Sequence, residues 1–282
     1  QKEGANHIIF NILFPIMIFN VLFTANISVS VIWIVLYVFI AFVLTMVLGK
    51  LLSQFTGAKM AHISPYLLTT TEGGNVALPL YTSIVGLSYA SNTIIFDIAG
   101  SLMAFVVMPI MVAKETSGKT SFKELLKTMC TNSFLIAVAL GLILNLIGGY
   151  TFLQTTPFID IYTNTINQAT GPIVGMILLI IGFNLKIQKE ALPSLIKLLC
   201  VRFVLFAGII AGFFILFPSM MADQIYMIAV LIYFMSPTGF AIPMQISPLY
   251  KSNDDCGFAS AIISLNMIIT LVVYALIVVF IA

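Results

Sequence analysis

Charge is what this sequence most lacks. Only 8% of its 282 residues are Asp, Glu, Lys or Arg, against about 25% in soluble globular domains, which excludes an ordinary water-facing surface. The 12 basic and 10 acidic side chains leave a net charge of +2, too even a balance for a nucleic-acid footprint. Three cysteines, an odd count with no CxxC pair, indicate neither a disulfide scaffold nor a zinc site. No GxxxxGK[ST] loop is present to drive the protein by nucleotide hydrolysis. No HExxH, paired aspartates within one span or Ser/His arrangement points to an enzyme, and no cofactor or metal is expected. No hydrophilic stretch is long enough to fold by itself. What remains is apolar: 61% hydrophobic residues and a mean hydropathy of +1.13 describe one membrane domain.

Windows of about 20 apolar residues, the length that crosses a bilayer, predict nine spans, near 7–25, 30–52, 64–88, 93–113, 129–149, 160–184, 192–217, 225–250 and 258–281. Lys and Arg concentrate in cytoplasmic loops, and the count obeys that bias. Lys2, Lys50, Lys59, Lys114, Lys119, Lys123, Lys127, Lys186, Lys189, Lys197, Arg202 and Lys251 all fall on alternate connections of one side. The connections near 25–29, 87–92, 150–159 and 218–224 contain no Lys or Arg. This places residue 1 in the cytoplasm and Ala282 outside, with none of the basic residues at mid-depth. The loop 114–127 reads as a solvated loop or a short interfacial helix bearing Phe122, Leu125 and Leu126 on one face.

Two spans carry Gly and Pro clusters at mid-depth. The third reads Thr69-Thr70-Thr71-Glu72-Gly73-Gly74-Asn75-Val76-Ala77-Leu78-Pro79-Leu80, and the eighth reads Met235-Ser236-Pro237-Thr238-Gly239-Phe240-Ala241-Ile242-Pro243-Met244. Aligning Pro79 with Pro243, an offset of 164, sets small residues against small ones; Pro15 and Pro172 repeat nearly the same shift at 157. The third span runs outward and the eighth inward, as inverted repeats require, and breaks at matched positions of two halves mark a transport site. Two simple kinks are the plainer alternative. Five spans per repeat would place the first repeat in 1–127, with four spans, and the second in 128–282; a tenth helix is then expected upstream of residue 1.

The third span with its break and Ala77-Leu78-Pro79-Leu80, the following Gly86, Ile95-Phe96-Asp97, Ser236-Pro237-Thr238-Gly239 and Asp254-Asp255 resemble the auxin efflux carrier family, which includes plant PIN carriers and bacterial malate permeases. The resemblance covers nearly the whole chain. It implies an all-α membrane protein of two inverted five-helix repeats whose broken helices cross, with the first helix absent from this chain. The family usually has Asn seven residues before the first break's Pro; here that residue is Glu72, so substrate identity does not carry over.

Proline suits a first helical turn, so the second half of each broken helix is expected to begin near Pro79 and Pro243. Such a terminus carries roughly half a positive elementary charge and favours an anion. Gly73, Gly74, Asn75, Pro79, Ser236, Pro237, Thr238, Gly239 and Pro243 are the expected substrate-binding residues, with Asn75 and Thr238 as side-chain donors to a carboxylate. Glu72, at the negative end of the first half-helix, and Asp97, in the next span, are the expected proton or cation carriers, since charge at the bilayer centre costs at least about 2.5 kcal/mol. Alternatively each acid is neutral and bonded to backbone freed by the break. Asn20, Ser101, Asn145, Asn184, Ser264 and Asn266 either line a pathway or bond one helix to another. His7 and His62 lie near the cytoplasmic surface with no carboxylate at ligand spacing.

These readings converge on a secondary transporter in the cell membrane that moves a small organic anion, with export or proton-linked transport by alternating access between the repeats. The alternatives are a Na⁺-coupled transporter of the bile-acid-transporter type, in which Glu72, Asn75 and freed carbonyls hold the ion, and a membrane sensor that binds without transport. The expected partners are the anion, H⁺ or Na⁺, the bilayer and, as an open alternative, a second copy of the chain.

Overall fold

The computed structural model describes residues 8, 12–24, 29–117, 133–172, 176 and 191–281. All regular structure among them is helical. Four helices are long and apolar enough to cross a membrane, Ile32–Leu51, Ser91–Thr116, Leu192–Leu216 and Asn253–Phe280, which makes the chain a multi-pass membrane protein. The third and eighth expected spans are not continuous rods: each is a chain of shorter helices around an irregular stretch. Helix Ser133–Leu146 covers part of the fifth expected span and Ile159–Thr170 the polar start of the sixth. The loop from residue 118 onward, His7, Asn184, Lys186 and Lys189 lie outside the described residues.

The chain divides into two compact units, residues 1–27 with 105–180 and residues 28–104 with 181–282. In the first unit, Phe14–Thr24 packs along Ser133–Leu146. Gly141 permits this closeness, since a Cβ there would stand 2.9 Å from the Phe19 carbonyl. Asn145 donates to the Phe23 carbonyl at 2.8 Å and Tyr162 donates to Asn20 Oδ1 at 2.9 Å, so both asparagines join helix to helix.

The second unit holds both interrupted spans. Its centre is aromatic: the Phe96 ring meets Tyr233 edge-on at 5.3 Å and lies 5.6 Å from Phe234, with Phe206, Phe213 and Phe42 packed around them. Aromatic pairs of this kind add about 0.5–1.5 kcal/mol each beyond their buried area. The cluster locks Ser91–Leu102, Leu192–Leu216 and Gln224–Met235 against one another, and it sets the depth of Asp97, the residue after Phe96. At one end of the unit, Asp255 closes a capping box with Ser252 at the start of Asn253–Phe280 and accepts from the Lys251 amide at 2.6 Å. Asp255 Oδ2 also lies 3.0 Å from His62 Nε2. His62 thus does have a carboxylate partner, supplied by tertiary folding from 193 residues away and invisible to local spacing.

Candidate functional site

The first interruption follows one helical turn, Ser64–Leu67. Three threonines then meet Glu72 and two glycines, and β-branched residues beside glycine give the helix little reason to continue. Thr70 sits at φ 55°, a left-handed conformation that β-branched residues rarely adopt. Regular structure resumes as a wide turn, Gly73–Ala77, that runs into helix Leu78–Val85. Pro79 lies in the first turn of that helix as expected, although the chain begins to coil at Gly73, before it. Gly73 is needed for space: a Cβ would stand 1.9 Å from Asp97 Oδ1 and 2.8 Å from the Tyr233 ring.

The second interruption follows Gln224–Met235, whose end is set by Pro237, because the residue before proline is pushed out of helical geometry. Ser236 accordingly sits at φ −71°, ψ 158°. Here the recovery is slight. The helix carrying Pro243 is the single turn Ile242–Gln245, followed by the short turn Ser247–Leu249, where the sequence suggested a half-helix reaching residue 250. Pro248 and the polar residues around it stop its growth, and its dipole is correspondingly small.

The two interruptions are bonded to each other. The Glu72 amide donates to the Pro237 carbonyl at 2.7 Å, the Phe240 amide donates to Glu72 Oε2 at 2.6 Å, and Thr238 Oγ1 donates to the Leu67 carbonyl at 2.8 Å. Asn75 Nδ2 donates to Glu72 Oε1 at 2.6 Å. On the other side of the glycines, Asp97 rests against Gly73 and Gly74, and the Tyr233 hydroxyl lies 3.4 Å from Asp97 Oδ1. Glu72 therefore occupies a backbone donor of the second interruption, where the sequence placed the carboxylate of a substrate. Asn75 and Thr238, expected as donors to that substrate, both donate to the protein itself.

The sequence reading of Arg202 needs correction. It was placed at the membrane edge with the loop lysines, but it stands ten residues into helix Leu192–Leu216, about 15 Å along its axis at 1.5 Å per residue. It is 2% exposed. Its guanidinium donates to the carbonyls of Thr70 at 2.9 Å, Ser236 at 3.1 Å and, more weakly, Thr69 at 3.5 Å. It also lies over the Phe206 ring, 4.0 Å from its centroid. Carbonyls freed by both interruptions thus share one cation, which is how irregular backbone at depth is satisfied. Charge bias in loops does not detect such a residue, because one Arg beside a cluster of lysines looks like part of that cluster.

Accessibility separates the expected residues. Ser236, Pro237, Thr238, Gly239 and Pro243 are all buried, whereas Glu72, Asn75 and Asp97 are half-buried and Gly74 and Pro79 are exposed. Of the polar residues noted along the spans, Ser264 bonds back to the Ser260 carbonyl. Asn266, 1% exposed, keeps both amide atoms without a partner. Among the described residues no group of three His, Cys, Asp or Glu is placed to hold a metal. No family model matches the chain, and no curated protein matches it.

Proposed function

We propose that the chain is a secondary transporter that moves a small organic anion by alternating access, with Glu72 and Asp97 taking up the proton that travels with it. The proposal includes an arrangement of two inverted repeats related through the two interrupted spans. One observation carries it: the Phe240 amide donates to Glu72 Oε2 at 2.6 Å, while the Glu72 amide donates to the Pro237 carbonyl at 2.7 Å. A single ionisable residue is thereby bonded to both interruptions. Adding a proton to its carboxylate weakens the acceptor that Phe240 uses and frees that donor for another anion.

Matched interruptions at depth are the usual seat of cargo in carriers with inverted repeats, and an ionisable residue inside a span is functional by default. Glu72, Asn75 and Asp97 are half-buried and Gly74 and Pro79 exposed, whereas the second interruption is buried, and the resemblance to auxin efflux carriers agrees with this reading. The test is counterflow in liposomes, screening mono- and dicarboxylates under imposed pH or Na⁺ gradients. Carboxylate exchange with uptake driven by the pH gradient is expected. Uptake driven by Na⁺ instead would move the coupling ion, and tight binding without counterflow would make the protein a sensor. Failure of every carboxylate alongside movement of a cation would reverse the sign of the site.

A further inference from the structure

The interruptions hold two carboxylates and one guanidinium. Among the described residues no carboxylate lies within ion-pair distance of Arg202, and the link between them runs through the backbone that Arg202 holds. It binds the carbonyls of Thr70 and Ser236. Glu72 is two residues beyond Thr70, no more than about 7 Å of extended chain, and its amide bonds to Pro237, the neighbour of Ser236. Asp97 lies against Gly73, the residue after Glu72. The titratable side chain facing Arg202 from the packed helix Gln224–Met235 is Tyr233, whose hydroxyl is turned to Asp97. From helix Val29–Leu51, Tyr37 donates to the Ile209 carbonyl and Lys50 lies over the Tyr66 ring at 5.6 Å.

We propose that Arg202 is a positioning residue whose fixed charge leaves one acid of the Glu72–Asp97 pair free to load a proton together with the cargo. With both acids ionised, the three groups sum to one negative charge. A single proton on the pair then brings the empty site to neutrality in a medium where net charge is expensive. A monocarboxylate arriving adds one negative charge, and the second acid balances it by taking a proton from the loading side and releasing it with the cargo. Without Arg202, both acids must already be protonated in the empty site. No acid remains to take up a proton with the cargo, and the loaded site keeps the cargo's negative charge unbalanced, so exchange and proton-driven uptake both fall. A clamp on the carbonyls alone would leave the proton count of the two acids unchanged.

This inference rests on the carrier reading for its transport consequence, and two measurements on the full-length chain keep the two apart. The first compares carboxylate counterflow with pH-driven uptake in liposomes for the wild type, R202M and R202K. R202M is expected to lose both counterflow and pH-driven uptake, while R202K, which keeps the charge, retains both. Wild-type pH-driven uptake in R202M, or failure of R202K to restore it, would overturn the proposal. The second reads melting temperature at pH 6 and pH 8 for the purified wild type, R202M and R202M/E72Q, and needs no cargo. R202M should lose more stability at pH 8 than at pH 6, because its two acids must stay protonated in the fold, and E72Q should remove that extra loss. Parallel behaviour of R202M and the wild type would sink the charge role even if transport were normal. Absence of carboxylate exchange in the wild type would defeat the carrier reading, leaving the melting curves to decide the role of Arg202.

Discussion

The two interruptions look alike as strings of small residues around a proline, and the structure uses them differently. The first keeps its ionisable and amide side chains half-buried and resumes as a wide turn continuing through Val85. The second is buried from Ser236 to Pro243, spends its polar groups inside the protein, and resumes as a single turn. On the proposed carrier reading, the first is the chemical half of the site and the second its mould. The lesson is that matched breaks record matched backbone problems, freed N–H and C=O groups at depth, and the neighbouring side chains decide how each is satisfied.

The largest expected effect tests how closely the chemical half is packed. Gly73→Ala drives a Cβ into Asp97 and the Tyr233 ring, and destabilisation of about 3 kcal/mol or more is expected in a melting or denaturant assay. Next comes the double change Glu72→Gln with Asp97→Asn, since either change alone leaves one acid to load against the Arg202 charge. One pH unit across the membrane is worth about 1.4 kcal/mol per proton, so for a proton-coupled carrier accumulation of about tenfold should fall to equilibration in the double variant. An unchanged pH dependence would remove both acids from the coupling step.

In the mould, Thr238→Val removes the bond to the Leu67 carbonyl and leaves that oxygen buried. A loss of about 1–2 kcal/mol is expected from thermal unfolding, and a loss of coupling with stability intact would show that this half takes part in the chemistry. Thr70→Gly relieves a positive φ while leaving the carbonyl that Arg202 uses, and should raise stability by about 1 kcal/mol. The smallest effect belongs to Gly239→Ala. Its Cβ meets nothing closer than 3.4 Å, so a change within about 0.5 kcal/mol is expected. If Gly239→Ala proved more damaging than Gly73→Ala, the contrast between the halves would be broken.

Much of this was legible in advance. Hydropathy located the spans that became Ile32–Leu51, Ser91–Thr116, Leu192–Leu216 and Asn253–Phe280, because a length of apolar chain is a local property. Gly-Gly and Ser-Pro located both interruptions, since glycine and proline act on their own backbone and that of their neighbour. Glu72 and Asp97 stood out because acids within apolar runs are rare. The length of the recovered helix after Pro243, the bond from Glu72 to Phe240, and the pairing of His62 with Asp255 were not readable.

The amino-acid order by itself determined that the chain lives in lipid as helices, that two of them are broken at depth, and which acids lie near one break. It could do so because each of these follows from a window of a few to twenty residues. Only the tertiary structure decided that both breaks share one guanidinium, that Glu72 fills a donor on the opposite break, and that one break is half-open while the other is sealed. Those are contacts between residues 34 to 171 positions apart. In a low-dielectric interior a carbonyl, a carboxylate and a guanidinium must find partners wherever packing brings them, and no spacing along the chain records where that will be.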